Sequence, residues 1–321
     1  KGVTPDELRE LGAEALLVNA LHLHLRPGEE TIGKLGGIQR FMGWDGPVLS
    51  DSGGYQVYSL EELRKVTEDG VLFRSPLDGA EVFLTPEGMM EIERRLGVDL
   101  AACLDQCVRL PATKEEEEEG VRRTTAWADR CREAWGEGEE GRGLLGIVQG
   151  GLDLELRERS AKEVTPLSFD GYAIGGLSVG EEKSDTFRVL EHTMRFVPDD
   201  VPRHLFGVGT PSDILEGVRR GIDMFDCVIP TRHARNGTIL TWREGSRNMR
   251  AARFAEDGGP PDPDCSCAVC RKYSAAYLRH LLKRGEMLGG RLLTLHNLHL
   301  YLEWMRTIRA AIREGRLDAL E

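Results

Sequence analysis

Short apolar runs recur along the chain, each giving way to a small or polar cluster and then to a charged stretch with apolar residues three and four apart. That alternation is the pattern of strands feeding helices, and strands separated by helices pair in parallel. Seven runs stand out: Ala15–Val18, Pro47–Leu49, Leu100–Leu104, Leu144–Val148, Tyr172–Ile174, His204–Val208 and Met224–Ile229. Clusters such as Asp51-Ser52-Gly53-Gly54, Gln149-Gly150-Gly151 and Gly175-Gly176 follow them. A parallel-sheet enzyme keeps its chemistry there, beyond the carboxyl ends of its strands. The rhythm predicts an α/β fold, a (β/α)8 TIM barrel in preference to a doubly wound sheet. The first run leads into Asn19-Ala20-Leu21-His22, where a doubly wound sheet would carry a glycine-rich phosphate loop.

The acidic run Glu115–Glu119 reads as the first turn of a helix and not as a binding tract. Thr113 followed by Glu116 is a capping-box spacing, negative charge is favoured at a helix start, and Val121, Ala128, Cys131 and Trp135 continue the helical period. Composition shifts at Gly258-Gly259-Pro260-Pro261, which divides the chain into a barrel core over 1–257 and a C-terminal metal-binding subdomain over 258–321. After Arg271 the pattern is helical through Tyr273, Ala276, Tyr277, His280 and Leu281, with a final amphipathic segment over Leu298–Leu317.

Charge and composition narrow the function classes. Forty-two basic against 54 acidic side chains give a net charge of −12, which argues against bulk coating of nucleic acid or anionic membrane and leaves room for a local basic patch. No stretch free of Asp, Glu, Lys and Arg exceeds 11 residues, against about 20 needed for a membrane span. With no basic and apolar leader at the start of the sequence, a cytoplasmic, reducing setting is expected. Seven cysteines, three of them within Cys265–Cys270, point to metal chemistry in place of a disulfide framework.

Cys265, Cys267 and Cys270 form Cys-x-Cys-x-x-Cys, a thiolate set suited to structural zinc, with His296 as fourth ligand and His299 and His280 as rivals. Cys103, Cys131 and Cys227 read as small buried hydrophobes, whereas Cys107 stands close enough to Asp105 to touch a ligand. Three aspartates, Asp51, Asp105 and Asp226, lie at or beyond strand ends. Converging at one mouth, such carboxylates can divide nucleophilic and acid/base work on a glycosidic bond through a covalent intermediate. Tyr55, Gln149, Gly175-Gly176-Leu177 and Phe206 supply an amide, exposed backbone amides and two aromatic faces, which suit a nucleobase. From Cys227 to Glu256 six Arg face two Glu, a local +4 that suits RNA phosphates.

Taken together, Asp51-Ser52-Gly53-Gly54-Tyr55-Gln56-Val57, Gly146-Ile147-Val148-Gln149-Gly150-Gly151, Ala173-Ile174-Gly175-Gly176-Leu177-Ser178-Val179-Gly180-Glu181, Phe225-Asp226-Cys227-Val228-Ile229-Pro230-Thr231-Arg232 and the cysteine motif with His296 resemble the tRNA-guanine transglycosylases of the bacterial queuine type. The resemblance runs over essentially the whole chain. It implies an irregular (β/α)8 barrel with a zinc-binding subdomain and one structural zinc per subunit. The implied activity exchanges guanine at the anticodon wobble position, within a U-G-U loop of tRNA, for 7-aminomethyl-7-deazaguanine on the route to queuosine.

By the same resemblance, Asp226 matches the nucleophile that forms an aspartyl-ribose intermediate and Asp51 the general acid/base. Ser52, Gly53, Gly54, Tyr55, Asp105, Gln149, Gly175, Gly176, Leu177 and Phe206 match the base pocket, with Tyr55 and Phe206 on its two faces. Gly207, Val208, Gly209, Thr210, Pro211, Ser212 and Asp213, together with Thr231, Arg232, His233, Ala234 and Arg235, match the RNA-contacting regions. Cys265, Cys267, Cys270 and His296 match the zinc ligands, and a homodimer is implied. The sequence departs from the family pattern at Gln106-Cys107-Val108, commonly Glu-Cys-Thr; at Phe206, frequently Met; at Thr210, often Lys; and before Lys1, where the family carries further strands. A silent RNA-binding subunit of this fold would lack a catalytic carboxylate, whereas both Asp51 and Asp226 are present.

Overall fold

A computed structural model describes residues 1–58, 64–108, 111–138 and 141–320. In chain order its strands are β1 (Leu16–Asn19), β2 (Val48–Asp51), β3 (Arg64–Val66), β4 (Val71–Arg74), β5 (Glu81–Leu84), β6 (Leu100–Ala102), β7 (Gly143–Val148), β8 (Gly171–Ile174), β9 (Arg203–Leu205), β10 (Met224–Phe225), β11 (Thr238–Thr241) and β12 (Gly245–Asn248). All seven apolar runs of the sequence become strands of one sheet, ordered β1-β2-β6-β7-β8-β9-β10, with every pairing parallel. The winding is that of a curled, TIM-like barrel. Burial explains the composition of its middle: β8 is buried at all four positions and β7 at five of six, as strands covered on both faces must be.

Helices Pro86–Leu96, Lys114–Trp135, Leu154–Val164 and Lys183–Thr193 alternate with these strands. Lys114–Trp135 begins as the sequence suggests: Thr113 Oγ1 accepts from the Glu116 amide and the Glu116 carboxylate accepts from the Thr113 amide. The run Met224–Ile229 is strand for two residues only, because Pro230 sits in the first turn of the helix Ile229–Arg235, where its missing N–H costs nothing.

Two antiparallel sheets lie outside the parallel rhythm. The strands β3, β4 and β5 form a three-stranded sheet inserted between β2 and β6, and β11 pairs with β12 as a hairpin.

The chain divides into two compact units, one of Ala15–Val208 with Glu216–Asp226, the other of Lys1–Glu14, Gly209–Leu215 and Cys227–Glu321. The first contains the whole parallel sheet. In the second, a core of Ile239, Met249, Leu278, Leu281, Leu293 and their neighbours packs the hairpin against helices Ala268–Lys272, Ala275–Arg284 and Met287–Arg313. The last of these starts well before the Leu298 suggested by the pattern, since Gly289 and Gly290 mask the helical period of its first turns. Among the described residues no helix is long and apolar enough to cross a membrane.

Candidate active site and metal centre

Every proposed base-pocket residue stands at or just past the carboxyl end of a parallel strand. Asp51 ends β2, Asp105 lies three residues past β6, Gln149 follows β7, Gly175 follows β8, Phe206 follows β9 and Asp226 follows β10. The pairing registers decide which side chains meet. Asn19 and Asp51 are direct partners between β1 and β2, and the Asn19 Nδ2 donates to Asp51 Oδ1. The Gly53 amide donates to the same oxygen at 3.1 Å. Asn19 is itself held, since its Oδ1 accepts from the His22 amide at 2.8 Å and caps the helix Ala20–Leu25.

Electrostatics separate these carboxylates from ordinary ones. Withdrawal from water pushes Asp51 up to about 7, against the stabilising bond from Asn19; the negative charges of Asp226 and Asp105 raise it further. Burial also pushes Asp105 up to about 6, opposed by Gln149, whose Nε2 donates to Asp105 Oδ2 at 2.6 Å. Gly54 packs directly on Asp105, so that any Cβ there would collide with the carboxylate. Asp226 takes two donors on one oxygen: His204 Nε2 and the Gly207 amide, each 3.1 Å from Oδ1.

The floor is fixed from below by Arg157, a fully buried guanidinium on helix Leu154–Val164. It donates to the carbonyls of Gly151 at 2.9 Å, Val148 at 3.1 Å, Gly175 at 2.8 Å and Gly176 at 3.2 Å, tying the end of β7 to the turn after β8. Burial draws its pKa down to about 10, which leaves it charged at neutral pH. Buried Ser160 accepts from the Gln149 amide at 3.0 Å. In the turn, Gly176 adopts φ +65°, and a side chain there would strike the Gln149 amide group. Leu177 is buried, Tyr55 is 54% exposed, and Phe206 packs against Ala102, Leu145, Ile147 and Ala173.

The departures from the family pattern acquire physical reasons. Gln106 Oε1 accepts from Arg123, whose charge is met by Glu68 and Glu119, so the amide completes an ion network that already holds two carboxylates. Thr210 Oγ1 accepts from the Asp213 amide at 3.2 Å while Asp213 Oδ2 accepts from the Thr210 amide, a reciprocal cap. Cys107 is buried, and its thiol is pushed up to about 12 by that burial, so it is not a reactive thiolate.

Of the segments proposed to meet RNA, Val208, Asp213 and Ala234 are buried, while Gly207, Ser212, Arg232, His233 and Arg235 are exposed. The local Arg cluster is partly spoken for: Arg247 pairs with Glu244 at 2.5 Å, Arg243 with Asp264 at 3.1 Å, and Arg250 donates to the Leu282 carbonyl. Arg232 and Arg235, both on helix Ile229–Arg235, are exposed.

In the second unit, Cys265, Cys267, Cys270 and His296 are all buried, and their ligand atoms lie within 4.8 Å of one another. The group could hold a metal ion. The His296 ring is oriented for it: Nε2 donates to the Leu240 carbonyl at 2.7 Å, which leaves Nδ1 facing the sulfurs of Cys267 at 3.4 Å and Cys270 at 3.2 Å. The neighbouring Asn297 accepts from the Leu240 amide at 2.9 Å, so both polar groups of one residue on β11 are pinned from the same helix. His280, a rival in the sequence, is exposed.

Asn19, Arg157, Ser160 and His204 do not figure in the sequence reading of the site. Asn19 carried a signal, a polar residue ending the first apolar run; His204 and Arg157 are buried in the middle of elements, where spacing alone does not separate them from core.

A family model described as Queuine tRNA-ribosyltransferase matches residues 1–321. The chain is 53% identical over 317 residues to the Queuine tRNA-ribosyltransferase of Pelotomaculum thermopropionicum, covering 99% of this chain and 85% of the relative. It is 51% identical to the protein of the same name from Desulforamulus reducens and 52% identical to that from Thioalkalivibrio sulfidiphilus, each with 99% of this chain and 85% of the relative aligned.

Proposed function

The chain belongs to the queuine tRNA-ribosyltransferase family, a family of pentosyltransferases, and from that premise we propose that it replaces guanine in tRNA through a covalent aspartyl-ribose intermediate. One observation carries the mechanism: three aspartates at the ends of β2, β6 and β10, of which Asp51 is raised to about 7 by burial and by the nearby charge of Asp226. A carboxyl poised near neutral pH is suited to giving and taking a proton, while the Asp226 side chain beside it is placed to attack.

In this reading an Asp226 oxygen forms a bond to C1′ of the wobble nucleotide as the C1′–N9 bond breaks, its electron pair leaving with guanine. Asp51 protonates the departing ring. The incoming base, 7-aminomethyl-7-deazaguanine, then returns a proton to Asp51 and attacks C1′, and the Asp226 carboxylate leaves. One glycosidic bond replaces another, and the ester between them conserves the linkage without an external energy source. Asp105 and Gln149, with the Gly175-Gly176-Leu177 turn, read the base's edges; Ser52, Gly53 and Gly54 line the pocket; Tyr55 and Phe206 take its two faces.

The tRNA partner, with its U-G-U loop, is held through the exposed residues of Gly207–Asp213 and of Thr231–Arg235. Zinc is the ion assigned to Cys265, Cys267, Cys270 and His296, because three thiolates and one imidazole make a closed tetrahedral set. When bound it supplies folding energy and leaves no open position for catalysis. The working unit is a homodimer in the cytoplasm, in which residues 1–257 hold the catalytic and base-pocket residues and 258–321 hold the zinc ligands.

The test is capture of the intermediate. Protein mixed with a U-G-U stem-loop and denatured should carry the RNA covalently on the peptide containing Asp226. RNA attached to another peptide, or none attached while exchange proceeds, would remove the aspartyl-ribose step.

A further inference from the structure

His204 is 1% exposed and sits inside β9, where a histidine reads as core. Its neighbours give it a task. The register of β9 and β10 pairs His204 with Met224 and Leu205 with Phe225, so the next positions along, Phe206 and Asp226, lie side by side past the strand ends. Alternation along a strand puts His204 and Phe206 on one face, and their rings are 4.6 Å apart. On the adjacent strand, Asp226 lies two residues beyond Met224 and shares that face, and His204 Nε2 reaches Asp226 Oδ1 at 3.1 Å.

An ionised carboxylate only accepts hydrogen bonds, so Nε2 must carry the proton. The other ring nitrogen, Nδ1, is buried and has no hydrogen-bond partner among the described residues. An N–H at Nδ1 would be a buried donor without an acceptor, which is costly, so the surroundings favour the tautomer with its proton on Nε2. The Gly207 amide donates to the same Oδ1, which gives that oxygen two donors and leaves Oδ2 without either of them.

Resting on the reading of Asp226 as nucleophile, we propose that His204 is a positioning residue that assigns the two oxygens different work. Oδ1 is held by His204 and Gly207 and becomes the ester carbonyl oxygen. Oδ2 carries the electron pair that forms the bond to C1′ while the C1′–N9 pair leaves with guanine. When the second base attacks, the C1′–Oδ2 pair returns to the carboxylate, negative charge spreads back onto Oδ1, and the two donors stabilise it. His204 therefore eases release of the ribose from Asp226 as well as orienting the attack. Its contact with the Phe206 ring couples the orientation of the nucleophile to one face of the base pocket.

The experiment compares guanine exchange and the steady-state fraction of covalent adduct in the full chain and in His204→Leu, His204→Gln and Asp226→Ala, all with the same U-G-U stem-loop. Loss of a hydrogen bond to a charged group corresponds to about a ten- to hundredfold change. In His204→Leu, kcat is expected to fall by that factor with the KM for free base little changed, and the adduct fraction to rise. His204→Gln, whose side-chain amide can again donate to Oδ1, should recover most of the rate. The proposal is overturned if His204→Leu keeps kcat within about twofold and the adduct fraction unchanged, or if His204→Gln is as slow as His204→Leu. Adduct formed by Asp226→Ala would instead overturn the nucleophile reading on which the proposal rests. Nitrogen-15 spectra of the unsubstituted protein, with the His204 signals identified by their loss in His204→Gln, give a readout independent of folding in the leucine variant. A proton on Nε2 is expected, and a bare Nε2 would overturn the proposal.

Discussion

The strand-end carboxylates and the cysteine–histidine group solve opposite problems with charged side chains. The four side chains that could hold a metal ion come from the short motif Cys265–Cys270 and the helix Met287–Arg313, all are buried, and the second nitrogen of His296 is tied to a backbone carbonyl. A closed set of this kind is built to stay as it is. At the mouth of the barrel, Asp51, Asp105 and Asp226 stand at the ends of three strands and lie more than 50 residues apart in sequence. Two of them are held near their point of ionisation in place of being neutralised by a fixed cation. Such a group is built to change. Stability and reactivity here use the same acid–base chemistry, and what differs is whether the surroundings complete it.

The largest effect should come from deleting Asp226, the nucleophile of the proposed mechanism. Asp226→Ala is expected to lower exchange by about 10⁴-fold or more, by analogy with loss of an attacking side chain in other covalent enzymes, while metal content and thermal midpoint stay close to those of the parent. A matching loss of metal would break the separation of the two regions.

Cys267→Ser is the converse. Metal binding to such a group is coupled to folding, so this variant should lose its metal and a large part of its thermal stability, measured by elemental analysis and calorimetry. Full metal occupancy in Cys267→Ser would mean that the ligand set is misassigned.

A gentler perturbation is pH. In the proposed mechanism Asp105 accepts from the base as a carboxylate, so exchange should rise as pH climbs through about 6; Asp51 releases guanine as the protonated acid, so single-turnover adduct formation should fall about tenfold per unit above about 7. Metal content should stay constant across that window. Asp51→Asn should abolish the upper limb, and a limb that survives in that variant assigns the titration to another group.

The smallest effect concerns Gln106. Since Arg123 already meets Glu68 and Glu119, Gln106→Glu is expected to change stability by less than about 1 kcal/mol, a thermal shift of a few degrees at most. A larger shift would show that the amide is essential to the network that flanks Asp105.

Legibility in the sequence followed the same divide. The seven apolar runs could be read because parallel strands covered on both faces must be continuously apolar, and all seven became the parallel sheet. The cysteine motif could be read because its chemistry is local. The antiparallel insert β3–β5 was missed although Asp69-Gly70 and Asp78-Gly79 mark both of its turns, since the βα rhythm absorbed the apolar residues on either side. Glu244-Gly245 similarly marks the start of β12. Asn19 was legible only as a residue that did not fit a phosphate loop; its contact with Asp51 depends on the register of β1 with β2, which no local pattern encodes. Arg157 and His204 are harder still, because a buried charged or aromatic residue announces its partners only through tertiary structure.

The most direct test of the account is incorporation of labelled guanine into an anticodon stem-loop containing U-G-U, against the same loop with the central G replaced by A. Label entering the U-G-U loop alone is expected. Label in neither loop, from protein that holds its metal and binds tRNA, would contradict the assignment of this chain as a base-exchanging enzyme.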